Sequence, residues 1–244
     1  MVIRKTRAHS REAKADRRQA ILTAAEAVWR TSTFDALTMA DVARRAALAK
    51  GTLYLYFPTK EVLLLAMLES RLDLCLAEVE RRLEKGEPVA DAETLADILA
   101  TPLFQDQALT RLLAIMGAIL EHNLPSAHIR RFKAWILQRL ADAGQVLERR
   151  IPFIRPGEGL RVLLHVQILV AGIGQLAHPA PAVARVLAQP EFERLRIDFA
   201  AEFRSMLAAL LRGRIGEPSE LRGTASSRGS SPKRKKRPAG MANP

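Results

Sequence analysis

Between residues 50 and 60 the sequence sets cations and hydroxyls around a glycine: Lys50-Gly51-Thr52-Leu53-Tyr54-Leu55-Tyr56, then Lys60. These residue types suit the holding of a polyanion rather than the making or breaking of bonds. Gly51 would let a helix approach a phosphate backbone closely. The Thr52 hydroxyl suits a phosphate or a base edge, and its methyl could meet a thymine methyl. Tyr54 and Tyr56 can reach phosphate oxygens with their hydroxyls, and Lys50 and Lys60 supply charge for the backbone. Leu55 is expected to point outward, where it could make an apolar base contact. Upstream, Thr38 opens a helix whose N–H end could face a phosphate.

Bond-making chemistry has no comparable support. The sequence holds no HExxH, no phosphate-binding glycine loop before a Lys-Ser/Thr pair, and no nucleophile elbow. Ala171-Gly-Ile-Gly174 sits in an apolar helical stretch without the preceding strand a dinucleotide site needs. Cys75, the single cysteine, excludes an internal disulfide and a cysteine-based zinc site. His122 and His128 lack a third ligand nearby. The expectation is a non-enzyme with no cofactor and no metal.

The elements that would position these residues read as helices. Apolar residues make up 48% of the 244, aromatics only 5%, and no run alternates long enough for a strand. A helix is expected over 15–32, with Ile21, Ala24, Ala25, Val28 and Trp29 on one face. A short helix starts at Thr38, where a hydroxyl precedes Asp41 by three residues, as at a helix N-terminus. A tight break at 47–49 leads to a third helix over 50–57, which Pro58 ends. Thr59 caps a fourth. Its start, Val62–Leu68, is apolar all round, so it must be covered on several sides. Further helices are expected at about 91–100, 104–122, 126–150, 157–176 and 191–212, with prolines, Pro102 and Pro181 among them, in the gaps.

Helix, short helix, tight turn, short helix is a helix-turn-helix. The stretch from Leu37 to Leu63, above all Lys50-Gly-Thr-Leu-Tyr54 followed by Tyr56-Phe-Pro-Thr-Lys-Glu61, resembles the DNA-binding signature of the TetR family of bacterial regulators. The resemblance implies an all-α protein: an N-terminal three-helix helix-turn-helix domain, then a C-terminal helical domain for ligand binding and dimerisation. It implies DNA contact at Thr38, Lys50, Gly51, Thr52, Tyr54, Leu55, Tyr56 and Lys60. One departure is that Ala47-Leu48-Ala49 stands where the family usually has Gly-Val-Ser, which removes a cap hydroxyl at Ala49.

The expected organisation is a basic arm over 1–14, the DNA-binding domain over 15–62, the helical body over 63–213 and a disordered basic tail over 214–244. Of the net charge of +12, residues 1–19 carry +5 and residues 213–244 carry +6, so the body is nearly neutral. By resemblance, the effector would lie among Met67, Cys75, Met116, His122, Phe132, Trp135 and His165, a mixture that suits an apolar or aromatic small molecule. The last two long helices would pair with a second subunit through Leu164, Ile168, Phe199, Phe203, Met206, Leu207 and Leu210. The expected partners are an operator in double-stranded DNA, a second copy of the chain and the effector; a membrane is not expected. The longest apolar run, Val62–Leu68, is far short of a membrane span, and a cytoplasmic location is expected. A repressor released by a small molecule is the family's common mode. An activator, or a ligand-independent architectural DNA-binding protein, remains open.

Overall fold

The computed structural model describes residues 2–117 and 121–216. Among these described residues ten α-helices follow one another: α1 Val2–Trp29, α2 Met39–Arg45, α3 Lys50–Tyr56, α4 Lys60–Lys85, α5 Ala92–Gln105, α6 Gln107–Ile115, α7 Ser126–Arg150, α8 Gly159–Ala177, α9 Pro181–Leu187 and α10 Phe199–Gly216. Among the described residues there is no strand.

The first helix is longer than the sequence suggested. The basic stretch expected as an arm before residue 15 is part of α1, which is continuous from Val2. Arginine, lysine, alanine and glutamate are good helix formers, and no proline or glycine interrupts them. The tail over 217–244 lies outside the described residues; residues 214–216, expected to belong to it, form the last turn of α10.

Local chemistry sets the ends of the short helices. Thr38 Oγ1 accepts from the Asp41 N–H at 3.2 Å and caps α2. Thr59 does the same for α4 through Val62. The end of α2 is a two-bond reversal: Leu48 N–H donates to Ala43 O, and Ala47 N–H to Arg44 O. That geometry places Ala47 in the left-handed region at φ 53°, the conformation that favours glycine.

Two prolines depart from expectation. Pro102 lies inside α5 rather than in a gap, and Pro181 is at the first turn of α9, where its missing N–H costs nothing. The segment expected as the start of the last helix, Pro190–Leu195, is a 3-10 turn, and α10 begins only at Phe199.

Val62–Leu68 is buried throughout, as an all-apolar helix start requires. Through it α4 joins the three N-terminal helices to the body, packing on α1 at one end and on α5, α6 and α7 further along. α8 packs on α6, α7 and α10, and α10 lies on α5. α7 and α8 meet backbone to backbone at Gly144 and Gly159. A Cβ on Gly159 would stand 2.1 Å from Gly144 O, so neither position has room for a side chain.

α8 is also the one described helix long and apolar enough to cross a membrane by length and composition. Its inner residues Val162, Leu163, Val170 and Ile173 are buried, whereas Leu164, Ile168 and Leu176 are exposed. α9 buries none of its residues, and Val183 and Val186 are exposed.

Candidate nucleic-acid interface and effector cavity

The third helix presents one face to solvent. Leu53 and Phe57 point into the core, while Lys50, Gly51, Tyr54 and Leu55 are exposed and Thr52 and Tyr56 are half-buried. Leu55, at 84% exposure, projects outward as its place in the sequence suggests. Lys50 Nζ lies 5.9 Å from the centre of the Tyr54 ring. A Cβ added to Gly51 would meet nothing within 4 Å. Gly51 is the second residue of α3, and packing within the chain supplies no reason for the missing side chain there.

Thr38 is exposed, with its hydroxyl engaged at the helix start. It also donates to Asp41 Oδ2 at 2.6 Å. The Thr38 hydrogen bond, with help from the neighbouring Arg44 guanidinium, holds the Asp41 carboxyl below its usual range against the opposing effect of burial. Arg44 and Arg45 are exposed on the last turn of α2 beside this face. Sequence reading did not single them out; two adjacent arginines in the last turn of the helix, Arg44 three residues after Asp41, were the available signal.

Lys60 differs from expectation. Its ammonium donates to Phe34 O at 2.9 Å and sits 4.0 Å from the centre of the Phe34 ring. One of its three protons therefore serves the α1–α2 connection, and the residue is half-buried.

Behind this unit, polar contacts tie α1 to the body. Arg71 on α4 pairs with Glu26 on α1 and with Asp106 at the start of α6. Burial alone would lower the Arg71 pKa; its hydrogen bonds to the Asp106 and Glu26 carboxylates, and their charges, overcome that and raise it. Asp106 Oδ1 also caps α6 by accepting from Leu109 N–H at 2.9 Å. Trp29 Nε1 donates to Ala108 O at 3.2 Å. Arg111 donates to Trp29 O and Ser32 O and stacks on the Trp29 ring.

A cavity of about 40 Å³ lies inside the body. Its walls come from α4 (Leu72, Cys75, Leu76, Val79), α5 (Leu99, Leu103), α6 (Leu113), α7 (Leu140) and α8 (Leu163, Val166, Gln167, Val170). Of the seven residues suggested for the effector, only Cys75 lines it. Met67, Met116 and Phe132 are core residues, with Phe132 stacked on half-buried Trp135. His122 is exposed on the 3-10 turn Glu121–Asn123. His165 sits beside Arg214, and burial together with the Arg214 and Arg161 charges lowers its pKa. Burial pushes the Cys75 thiol up to about 12, so it is neutral and unreactive at ordinary pH. Among the described residues no three His, Cys, Asp or Glu side chains gather as a metal site.

The suggested subunit face divides in two. Leu164, Ile168 and Met206 are exposed, and Phe199 and Leu210 are half-buried. Phe203 and Leu207, expected to face a partner, are fully buried. Phe203 meets Phe104 edge-on at 5.7 Å and stacks with Phe199 at 5.8 Å, so it belongs to this chain's own core.

Comparison with known proteins agrees with this arrangement. A family model described as bacterial regulatory proteins, tetR family, matches residues 21–67. A second, described as tetracyclin repressor-like, C-terminal domain, matches residues 69–218. No curated protein matches. Among solved structures, a TetR-family transcriptional regulator from Mesorhizobium loti is 20% identical, with 82% of this chain and 96% of that one covered at a TM-score of 0.52. The fatty acid degradation regulator FadR from Bacillus halodurans is 17% identical over 83% and 97%, at 0.53. A TetR-family regulator from Syntrophomonas wolfei is 12% identical over 85% and 99%, also at 0.53. At these identities the likeness is one of fold.

Proposed function

Because the chain belongs to the TetR family of bacterial regulatory proteins, we propose that it is a DNA-binding repressor that leaves its operator when a small apolar molecule opens the body. One observation carries the ligand response. On α6, Leu113 lines the body cavity, and Arg111, two residues earlier, grips the carbonyls at the end of α1. A single short helix therefore faces both the effector space and the DNA-reading unit. At about 40 Å³ the cavity is far below the roughly 300 Å³ or more of an ordinary ligand site, so an organic effector must push its walls apart. That displaces α6, and with it α1 and the helices packed on α1.

The cavity lining also narrows the effector. Seven leucines and three valines surround it with one thiol and one amide, and no aromatic side chain is among them. Such walls favour an aliphatic body over an aromatic one, with Gln167 available for one polar group.

On the DNA side, the exposed face of α3 would enter the major groove. Lys50, Tyr54 and Tyr56, with Lys60 through its remaining protons, would hold the backbone; Thr52 and Leu55 would meet base edges. Thr38 would offer the start of α2 to a phosphate. Gly51 supports this reading, because the space beside it is empty and lies on the same face. The reading includes a homodimer, with Leu164, Ile168 and Met206 at the seam, which sets two recognition helices about one DNA turn apart.

The test starts by selecting operators from random duplexes, from which a palindrome is expected. Val166→Trp, which fills the cavity without touching the DNA face, should weaken operator binding about 5- to 150-fold, the usual range for linked sites. A folded, dimeric Val166→Trp protein with full operator affinity would remove the ligand-response reading. Gly51→Ala should weaken operator binding while leaving the fold intact, and an unaffected Gly51→Ala protein would remove α3 from the interface.

A further inference from the structure

A second cleft, of about 310 Å³, opens between the two halves of the molecule, away from the aliphatic cavity. Its walls include Trp29 at the end of α1, Phe34 in the α1–α2 connection, Arg111 and Ile115 on α6, and Gln175 and His178 at the end of α8. The lining combines aromatic and aliphatic surface with a guanidinium and an imidazole, and no acidic residue is among the lining residues. We propose that this cleft is a binding site for a small aryl carboxylate, with the carboxylate on Arg111, which covers the buried Trp29 ring, and the ligand's ring against Phe34 and Ile115.

Arg111 is the reason for the charge. Two of its five N–H donors go to Trp29 O and Ser32 O, both uncharged acceptors, and its face rests on the Trp29 ring. Burial lowers its pKa, with no acidic neighbour to offset the lost water. An arriving carboxylate would supply the missing counter-charge through the remaining donors, in the geometry guanidinium favours. The size of the cleft is near the lower end for organic ligands, which suits one or two rings. This site differs from the aliphatic cavity in every lining residue and in its charge.

The site would also touch the DNA-reading unit. Phe34 forms one wall, and the ring and carbonyl of the same residue hold Lys60 at the start of α4. An occupant that shifts Phe34 therefore changes how Lys60 is held.

The chain has two tryptophans, Trp29 and Trp135, so Trp135→Phe leaves Trp29 as the only reporter. In that background the full-length protein is titrated with cinnamate and with cinnamyl alcohol, its neutral counterpart, while Trp29 emission is followed. Cinnamate should give a saturable change, with the alcohol at least about tenfold weaker, as expected when a charged hydrogen bond is lost. Arg111→Gln should weaken cinnamate to the level of the alcohol. Gln175 is exposed on the rim, so Gln175→Trp should block the cleft without a folding cost, which circular dichroism checks; in that variant the response is read by isothermal titration. Val166→Trp, also read by titration, should still bind cinnamate in preference to the alcohol, because none of the cleft's lining residues is altered. Equal affinity for acid and alcohol, full binding by Gln175→Trp, or no Trp29 response up to the solubility limit would overturn the proposal. Loss of binding in Val166→Trp but not in Gln175→Trp would place the compound in the aliphatic cavity. That result overturns the cleft and leaves the proposed repressor standing.

Discussion

Lys60 holds Phe34 from both sides of its chemistry, by a 2.9 Å hydrogen bond to the carbonyl and by its charge 4.0 Å from the ring centre. The lysine opens α4, and the phenylalanine lies in the connection between α1 and α2. The contact therefore ties the start of the long helix to the unit that reads DNA. Lys60→Ala should lose about 1 kcal/mol of stability through the hydrogen bond and the cation–π contact. Lys50→Ala, at an exposed position, should leave stability unchanged and flatten the salt dependence of operator binding by about one unit of slope. Thermal melts and gel-shift titrations at several salt concentrations separate the two. A salt slope that responds to Lys60→Ala alone would reverse their assignment.

Ala47 is strained where glycine would not be, at φ 53°. The left-handed conformation costs an alanine about 1–2 kcal/mol. Glycine returns about 0.4–1 kcal/mol of that through the entropy of the unfolded chain. Ala47→Gly should therefore stabilise the protein by roughly 0.5–1 kcal/mol, a rise in Tm of about 1–4 °C for a chain of this size. Operator affinity should not change. A lower melting temperature would mean that the turn is held by something other than its backbone bonds.

The apolar face of α8 and α10 can be tested by two glutamates of opposite consequence. Ile168 is 65% exposed and Phe203 is fully buried. Ile168→Glu should leave each chain folded and shift the protein to monomers in sedimentation, with loss of operator affinity. Phe203→Glu should unfold the body, because an unpaired charge would enter the chain's own core at a cost of several kcal/mol. A dimeric Ile168→Glu protein would move the seam elsewhere, and the exposed Val183 and Val186 of α9 are the next positions to change.

Cys75 reports on the cavity wall. With its pKa pushed up to about 12 by burial, the thiol should resist iodoacetamide at pH 8 in the native protein and react once unfolded. Its ordinary value is 9.0. The folded protein thus keeps a proton that the unfolded chain gives up as pH rises from about 9 towards 12, and stability falls over that window. Cys75→Ala should remove this part of the alkaline loss, which denaturant melts at pH 8 and pH 11 would measure. Fast labelling of the native thiol at pH 8 would show that the cavity opens without a ligand.

Much of the DNA-reading unit was legible in the sequence because its determinants are local. Thr38 and Thr59 cap the helices that follow them, as their spacing to Asp41 and Val62 requires. The run Val62–Leu68 had to be buried because no side of it is polar. The bounds of α7, Ser126–Arg150, were read from its flanking prolines and periodicity. The body was less legible. Periodicity shows which residues of α10 share a face, not what covers that face, so Phe203 and Leu207 were placed against a second subunit when α5 and α8 cover them. The cavity is a gap between five helices, and no single helix carries its pattern. Nothing in the sequence marks Arg71 and Arg111 as anchors, because their partners, Glu26, Asp106 and the carbonyls of Trp29 and Ser32, lie far away along the chain. Short-range hydrogen bonds and helical spacing are written along the chain, so the sequence determined the reading head. The links between that head and the body join residues up to 82 positions apart, and only packing of the helices decided them.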